Sequence, residues 1–263
     1  MEISGRTALL TGATGGIGHA IARALHARGA TLILTGRRSD VLEPLAEEVK
    51  GRALAADLSL RADVDRLIAE AGDADIVVHN AALPASGTLT DFSVEQIDRA
   101  LEVNLRSPVI LSRHFAEAMG ARGSGHMVFI SSLSGKSGQG GASLYSATKF
   151  GLRGFSQGLA GDLAPHGVGV SCVFPGFIRD AGMFHESGTQ LPKGVGTSTP
   201  EQVASAVVGA IEKNRLEVDV APISMRVITT IAGIAPATSA KLATKMGGSK
   251  IAKDLAEGQR EKR

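Results

Sequence analysis

The stretch TGATGGIG, Thr11 to Gly18, stands between two segments of different rhythm. Before it, Thr7 to Thr11 is a short apolar run of the kind that forms a buried strand. After it, Gly16 to Arg28 carries apolar residues at helical spacing. Gly12, Gly16 and Gly18 fall in the pattern G-x-x-x-G-x-G. Glycine permits positive φ and lets the backbone come close to a ligand. The helix that follows offers free N–H groups and a partial positive charge to a pyrophosphate. A tight glycine turn alone would say little. Strand, loop and helix in this order point to a dinucleotide.

The same alternation continues outward. Strands are predicted at 31–35, 52–56, 75–79, 126–131, 168–174 and 216–220. Helices are predicted at 39–49, 62–71, 93–119, 143–164 and 200–213, with Ser39 and Thr199 as N-caps and Pro200 at a first helical position. Strand and helix in turn imply an α/β fold: a single-domain, Rossmann-type, doubly wound parallel sheet with helices on both faces. That domain is taken as residues 1–249, including an amphipathic segment at about 220–236. Residues 250–263 read as a charged, frayed tail. Residues 185–199 are rich in Gly, Thr and Ser and read as a lid or an unstructured loop.

Composition agrees. The 263 residues contain no Trp and 3% aromatics, so the core must be built from Ala, Val, Ile and Leu, as buried parallel strands are. A net charge of +2 does not favour a nucleic-acid partner. The single Cys172 excludes an intramolecular disulfide. No apolar run has the length of a bilayer-spanning helix, and the N-terminus does not read as a signal peptide. A cytoplasmic location is expected. The seven histidines show no metal-ligand spacing.

Two further stretches carry chemistry. In SLYSATK, residues 143–149, the only tyrosine of the chain, Tyr145, precedes Lys149 by four residues. On a helix the two are neighbours. An ammonium beside a phenol lowers its pKa, and such a tyrosine can exchange a proton with a carbonyl oxygen. The second predicted strand ends in Gly36-Arg37-Arg38. A carboxylate there would hold a ribose 2′-hydroxyl, whereas guanidinium groups suit a 2′-phosphate. NADP is favoured and NAD stays open.

The glycine spacing differs from G-x-G-x-x-G. With Asp57, HNAA at 79–82, Asn104, Ser132, Tyr145 and Lys149, and Pro175-Gly176, it resembles the short-chain dehydrogenase/reductase family over residues 11–176. The resemblance implies a catalytic set of Asn104, Ser132, Tyr145 and Lys149. Ser132 would bond the substrate oxygen, with Ser131 and Ser134 as competing choices. Asn104 would support a water link to the lysine, and Lys149 would also hold the nicotinamide ribose. It implies cofactor contacts from Gly12, Thr14, Gly16, Ile17, Gly18, Arg37, Arg38, Asp57, Leu58, Asn80, Ala81, Tyr145, Lys149, Pro175 and Gly176. Asp57 would meet the adenine amino group, or act only as a turn cap. Asp180 stands where the family often has a threonine, and an ionised acid cannot donate a hydrogen bond.

The expected reaction interconverts a carbonyl and an alcohol by hydride transfer on a small, apolar substrate. The alternatives are a 3-oxoacyl-thioester reductase of lipid metabolism and a non-catalytic NADP-binding regulator. A homo-oligomer is expected, with a dimer through helices near 93–119 and 143–164 favoured. The segment at 223–235 has three open roles: covering the substrate pocket, packing at a subunit interface, or resting on a membrane. The last is least favoured because the segment lacks a basic face.

Overall fold

The computed structural model describes residues 1–192, 195–237 and 248–260. Its centre is one parallel sheet of seven strands: β1 (Thr7–Thr11), β2 (Thr31–Gly36), β3 (Arg52–Ala55), β4 (Ile76–His79), β5 (Gly125–Ile130), β6 (Val168–Pro175) and β7 (Glu217–Val220). Their spatial order is β3-β2-β1-β4-β5-β6-β7. Leu10 lies in register with Leu34 on one side and Val78 on the other. The order reverses between β1 and β4, which opens a crevice at their carboxyl ends, where open α/β sheets bind ligands.

Successive residues of a strand point to opposite faces. Leu10, Val78 and Val128 therefore join one core, and Leu9, Val77 and Phe129 the other. Both faces are apolar, so both need covering. On the first lie α1 (Gly16–His26), α2 (Ser39–Glu48) and α8 (Pro200–Lys213), with Ile21, Leu42, Val207 and Ile211 buried. On the second lie α3 (Arg61–Ala71), α5 (Ser107–Arg122) and α6 (Ser143–Leu163), with Leu67, Phe115 and Leu152 buried. α4 (Val94–Leu101), α7 (Gly182–Glu186), α9 (Ile223–Ile234) and α10 (Gly248–Gly258) complete the described α-helices.

Four expectations need correction. The helix foreseen over 93–119 is two helices joined by a π-turn at Glu102–Arg106. Pro108 has no N–H for the Asn104 carbonyl four residues back, so the regular ladder breaks there. Ser39 is not an N-cap: α2 begins at Ser39, and Arg38 caps it without a side-chain bond. By contrast, Thr199 does cap α8 in a reciprocal box with Gln202. The irregular stretch at 185–199 overlaps the end of α7, and Ser198 bridges to Ile178; its residues 193–194 lie outside the described residues.

The tail from 250 is helical rather than frayed up to Gly258. Its charges mask an apolar repeat, Ile251, Ala252, Leu255 and Ala256, that is partly buried. Gln259 is buried and its Nε2 donates to the Met183 carbonyl at 3.3 Å. Residues 261–263 of that tail lie outside the described residues.

Burial of two histidines makes stability depend on pH. His79 lies in β4, stacked on Phe129, with its Nε2 3.1 Å from the Ser112 hydroxyl. His126 in β5 bonds the Ser171 hydroxyl at 2.8 Å. Burial lowers His79 to about 3 and His126 to about 4. The unfolded chain takes up these protons near pH 6.5 and the folded chain does not. Unfolding free energy, measured by urea titration, should therefore fall as pH drops from 6.5 towards 4. His126→Gln should flatten that slope.

Candidate active site

β1 leaves the sheet into the glycine loop at Gly12, where φ is +65°. A Cβ there would also lie 2.7 Å from the Ala81 Cα, so only glycine allows the loop to touch the end of β4. Asn80 Nδ2 donates to the carbonyls of Thr11 and Gly12 at 3.2 and 3.0 Å. Thr11 Oγ1 accepts from the Asn80 and Ala81 N–H groups and donates to the Val78 carbonyl. Nothing in the sequence marked Thr11 for this role. Gly18 packs against the Gly12 carbonyl and Gly16 against Ala181.

The N-terminus of α1 has no side-chain cap and no acid in its first turn. Its free N–H groups suit a phosphate. Nearby, Thr14 packs on Gly36, and its carbonyl accepts from Arg38 Nη2 at 2.7 Å. A Cβ at position 36 would come 2.7 Å from Thr14 Cγ2, so a side chain at this strand end would have to displace Thr14. Arg37 and Arg38 are exposed beside it. Ile17 touches Gly182 of the loop after β6. The uncapped helix, the glycine loop and the arginine pair fit a dinucleotide.

Asp57 follows β3 and accepts from the Ser59 N–H and hydroxyl at 2.9 and 2.7 Å. Burial pushes its carboxyl up, but the Ser59 bonds and the Arg37 and Arg99 guanidinium groups outweigh it and hold the carboxyl below its usual range. The turn-cap reading of Asp57 is thus satisfied within the chain. The buried Leu58 lends its carbonyl to the Ser107 hydroxyl at 2.7 Å.

At the carboxyl end of β5 the chain turns through a short 3-10 segment, Leu133–Gly135, capped by Ser132. Ser131 is buried and its hydroxyl donates to the Lys149 carbonyl at 2.9 Å. Ser132 is less buried; its Oγ accepts from the Ser134 N–H at 3.1 Å and also interacts with the Tyr145 hydroxyl. Of the three serines, Ser132 is the one at the tyrosine.

Tyr145 lies in the first turn of α6 and packs on Ala85, Ala100 and Leu144. Burial raises its pKa to about 12, against the Ser132 hydroxyl, which lowers it. The expected lowering by Lys149 is not what the structure has. Lys149 Nζ is buried, sits 5.6 Å from the centre of the Tyr145 ring, and donates to the Ile130 carbonyl at 2.9 Å. Its charge lies beside the ring rather than at the hydroxyl. Burial lowers Lys149 to about 8.

Asn104, in the π-turn, is fully buried. Its Oδ1 accepts from the Leu83 N–H at 2.6 Å and its Nδ2 donates to the Leu83 carbonyl at 3.0 Å. The side chain clamps the loop after β4.

Pro175-Gly176 ends β6 against Leu133, Ala221 and Met225. Asp180 has φ +70° and pairs with Arg179 at 3.4 Å, with most of its side chain in solvent. Ala181 and Gly182, not Asp180, meet the glycine loop. The sequence also gave no sign of Lys136, whose Nζ lies 2.6 Å from Asp219 and 3.0 Å from Glu217, over the Phe174 ring. It ties the serine turn to β7. α10 bridges the loop before α6 and the loop after α7, with Ala252 against Gly141 and Gly258 against Ser187.

With fold and site in view, the comparisons agree. A family model described as short chain dehydrogenase matches residues 6–192, and the chain belongs to the short-chain dehydrogenase/reductase family of oxidoreductases. The ketoacyl reductase HetN of Nostoc sp. is 36% identical over 225 residues, covering 82% of this chain and 78% of that protein. A short-chain dehydrogenase from Sphingobium yanoikuyae in complex with NADPH has a TM-score of 0.78 at 27% identity, covering 89% and 95%. A 3-ketoacyl-(acyl-carrier-protein) reductase from Brucella melitensis complexed with NADH has a TM-score of 0.73 at 25% identity, covering 83% and 98%. Among the described residues no cluster of ligating side chains would hold a metal, and no helix is long and apolar enough to cross a membrane.

The two adjacent serines should separate on mutation. Ser132→Ala should lower kcat by about 10²-fold, with a stability cost of about 1 kcal/mol at most from the lost Ser134 N–H bond. Ser131→Ala should cost about 1 kcal/mol of stability through the lost buried bond to the Lys149 carbonyl, while turnover persists. Steady-state kinetics and urea unfolding on both variants check this.

Proposed function

We propose that the chain is an NADP-preferring reductase of a carbonyl carried on an apolar molecule, with Tyr145 as the general acid. The observation that carries this reading is the meeting of Ser132, Tyr145 and Lys149 at the end of β5, beside the crevice that holds the glycine loop. A bound nicotinamide dinucleotide supplies the hydride. Tyr145, a neutral phenol at physiological pH, gives its proton to the substrate oxygen as that oxygen gains charge. Ser132 holds the same oxygen and orients it. Lys149, charged below about pH 8, keeps a cation beside the ring and holds the end of β5 through the Ile130 carbonyl. In the oxidative direction each proton movement reverses.

NADP is supported by Arg37 and Arg38 at the end of β2 and by Gly36, packed on Thr14, where a carboxylate would otherwise meet a ribose 2′-hydroxyl. The adenine contact of Asp57 and the ribose contact of Lys149 belong to the same proposal. An apolar substrate is supported by the rim: Leu133, the Phe177 and Phe184 rings 4.9 Å apart, and Met225. A 3-oxoacyl thioester is the second reading, favoured by the ketoacyl reductases among the similar proteins. A cytoplasmic dimer through α4, α5 and α6 completes the proposal; Val94, Leu101 and Phe150 are exposed on these helices.

The test is NADPH oxidation against ketones, aldehydes and acyl thioesters, beside NADH and beside Tyr145→Phe. Wild type should turn over one class, and Tyr145→Phe should lose about 10²–10⁴-fold in kcat. Arg38→Ala should reduce the preference for NADPH by about ten-fold or more. Cofactor binding with no turnover of any class in either direction would favour a regulatory cofactor-binding protein.

A further inference from the structure

Phe174, the residue before Pro175-Gly176, is fully buried, and two cations lie over its ring. Lys136 Nζ stands 4.1 Å from the ring centre and the Arg153 guanidinium 5.7 Å from it. Both side chains reach carboxylates of β7. Lys136 Nζ pairs with Asp219 Oδ1 at 2.6 Å and with Glu217 Oε2 at 3.0 Å. Arg153 donates to both oxygens of Glu217, at 2.7 and 3.2 Å, and Gln157 Nε2 adds a bond at 2.8 Å. Tyr145, Lys149 and Arg153 are spaced four apart on α6, so neighbours in that series share a side of the helix. Glu217 is therefore held by the tyrosine helix from one direction and by Lys136 from the other.

Lys136 belongs to the serine turn. It closes the 3-10 segment that Ser132 opens: its N–H donates to the Leu133 carbonyl at 2.9 Å, and the Gly135 N–H donates to the Ser132 carbonyl at 2.8 Å. Gly233 of α9 faces the Lys136 carbonyl. Beyond it runs Ser137-Gly138-Gln139-Gly140-Gly141, where a Cβ at Gly138 or Gly140 would meet nothing within 4 Å. Lys136 thus anchors the turn where an open glycine loop begins. A lone exposed ion pair contributes little. Here the Lys136 side chain is only 14% exposed, and two cations and two carboxylates are shared among the serine turn, α6 and β7. Burial raises the Glu217 carboxyl, but the bonds from Arg153 and Lys136 outweigh it and hold it below its usual range.

We infer that Lys136 is a positioning residue: through Asp219 and Glu217 it fixes the serine turn on the strand to which α6 is also tied, and so sets where the Ser132 hydroxyl meets Tyr145. The inference rests on the reading of Ser132 as the group that holds the substrate oxygen. Lys136 acts on the reaction through Ser132.

The experiment is a double-mutant cycle between Lys136→Met and Ser132→Ala, with Lys136→Arg as the conservative variant. Lys136→Met should lower kcat by about ten-fold and leave the Kd for NADPH unchanged. Lys136→Arg should recover most of that loss. On the Ser132→Ala background, Lys136→Met should change kcat by less than about two-fold, because the hydroxyl it places is gone. Asp219→Asn should show the same pattern more weakly. A second readout needs no turnover. The chain has one tyrosine and no tryptophan, so the tyrosine band in near-ultraviolet circular dichroism reports Tyr145 alone. Lys136→Met should shift that band in the same sense as Ser132→Ala, with no further shift in the double variant and a return in Lys136→Arg. Val207→Ala, buried in α8, controls for stability: it should lower the melting temperature and leave kcat and the band unchanged. The inference is overturned if Lys136→Met keeps wild-type kcat, if it costs the same with and without the Ser132 hydroxyl, or if the Tyr145 band does not respond to it. Wild-type kcat in Ser132→Ala would overturn the reading of Ser132 first, and this inference with it.

Discussion

Everything at the candidate site depends on how α6 is fastened to the end of β5. Two bonds do it: the Ser131 hydroxyl to the Lys149 carbonyl, and the Lys149 ammonium to the Ile130 carbonyl. Both are buried, where a hydrogen bond is strong and an unmade one is costly. Gly135 completes the junction. A Cβ there would lie 2.5 Å from Ser131 Oγ and 2.7 Å from the Lys149 carbonyl, so the serine turn lies flat on the helix only as glycine. Ser132 and Tyr145 meet because their neighbours are locked in this way. The ammonium has a structural task at the strand end as well as a chemical one.

The sheet explains why so much of the fold was legible. The central strands β1, β2, β4, β5 and β6 are short, largely apolar runs with both faces buried, and most helices carry an apolar stripe at 3.6-residue spacing, so period together with run length indicates the element type. The order of motifs along the chain also pointed to the candidate site, because Ser132 and the glycine loop follow strand ends that a doubly wound sheet brings to one edge, and the first turn of α6 carries Tyr145 to Ser132. Legibility failed where one residue overrode a period. Pro108 split an apparently continuous helix, and Arg38 took the capping position that Ser39 had suggested.

Contacts distant in sequence were hidden for a different reason. Asn104 reads as a catalytic helix residue, yet its amide is engaged with Leu83, twenty-one positions earlier. Lys136 is a lone basic residue in a run of serines and glycines until β7 brings Asp219 and Glu217 to it. The tail looked frayed because its charges are conspicuous and its small apolar residues are not. Ala252 beside Gly141, and Gly258 beside Ser187, show that close approach of backbones, not bulk, seats α10. The phenol's pKa likewise turned on burial and on where the ammonium pointed, neither of which spacing reports.

The Thr14–Gly36 contact has a consequence for how this lineage can change. A carboxylate at position 36 would be a single-residue change at one strand end, beside the arginine pair. It would require Thr14 to move, because the threonine methyl stands 2.7 Å from where a Cβ would lie. A smaller residue at position 14 would relieve that crowding. The two positions are thus coupled, and a loop-to-strand packing contact ties the glycine loop to whatever residue stands at the end of β2.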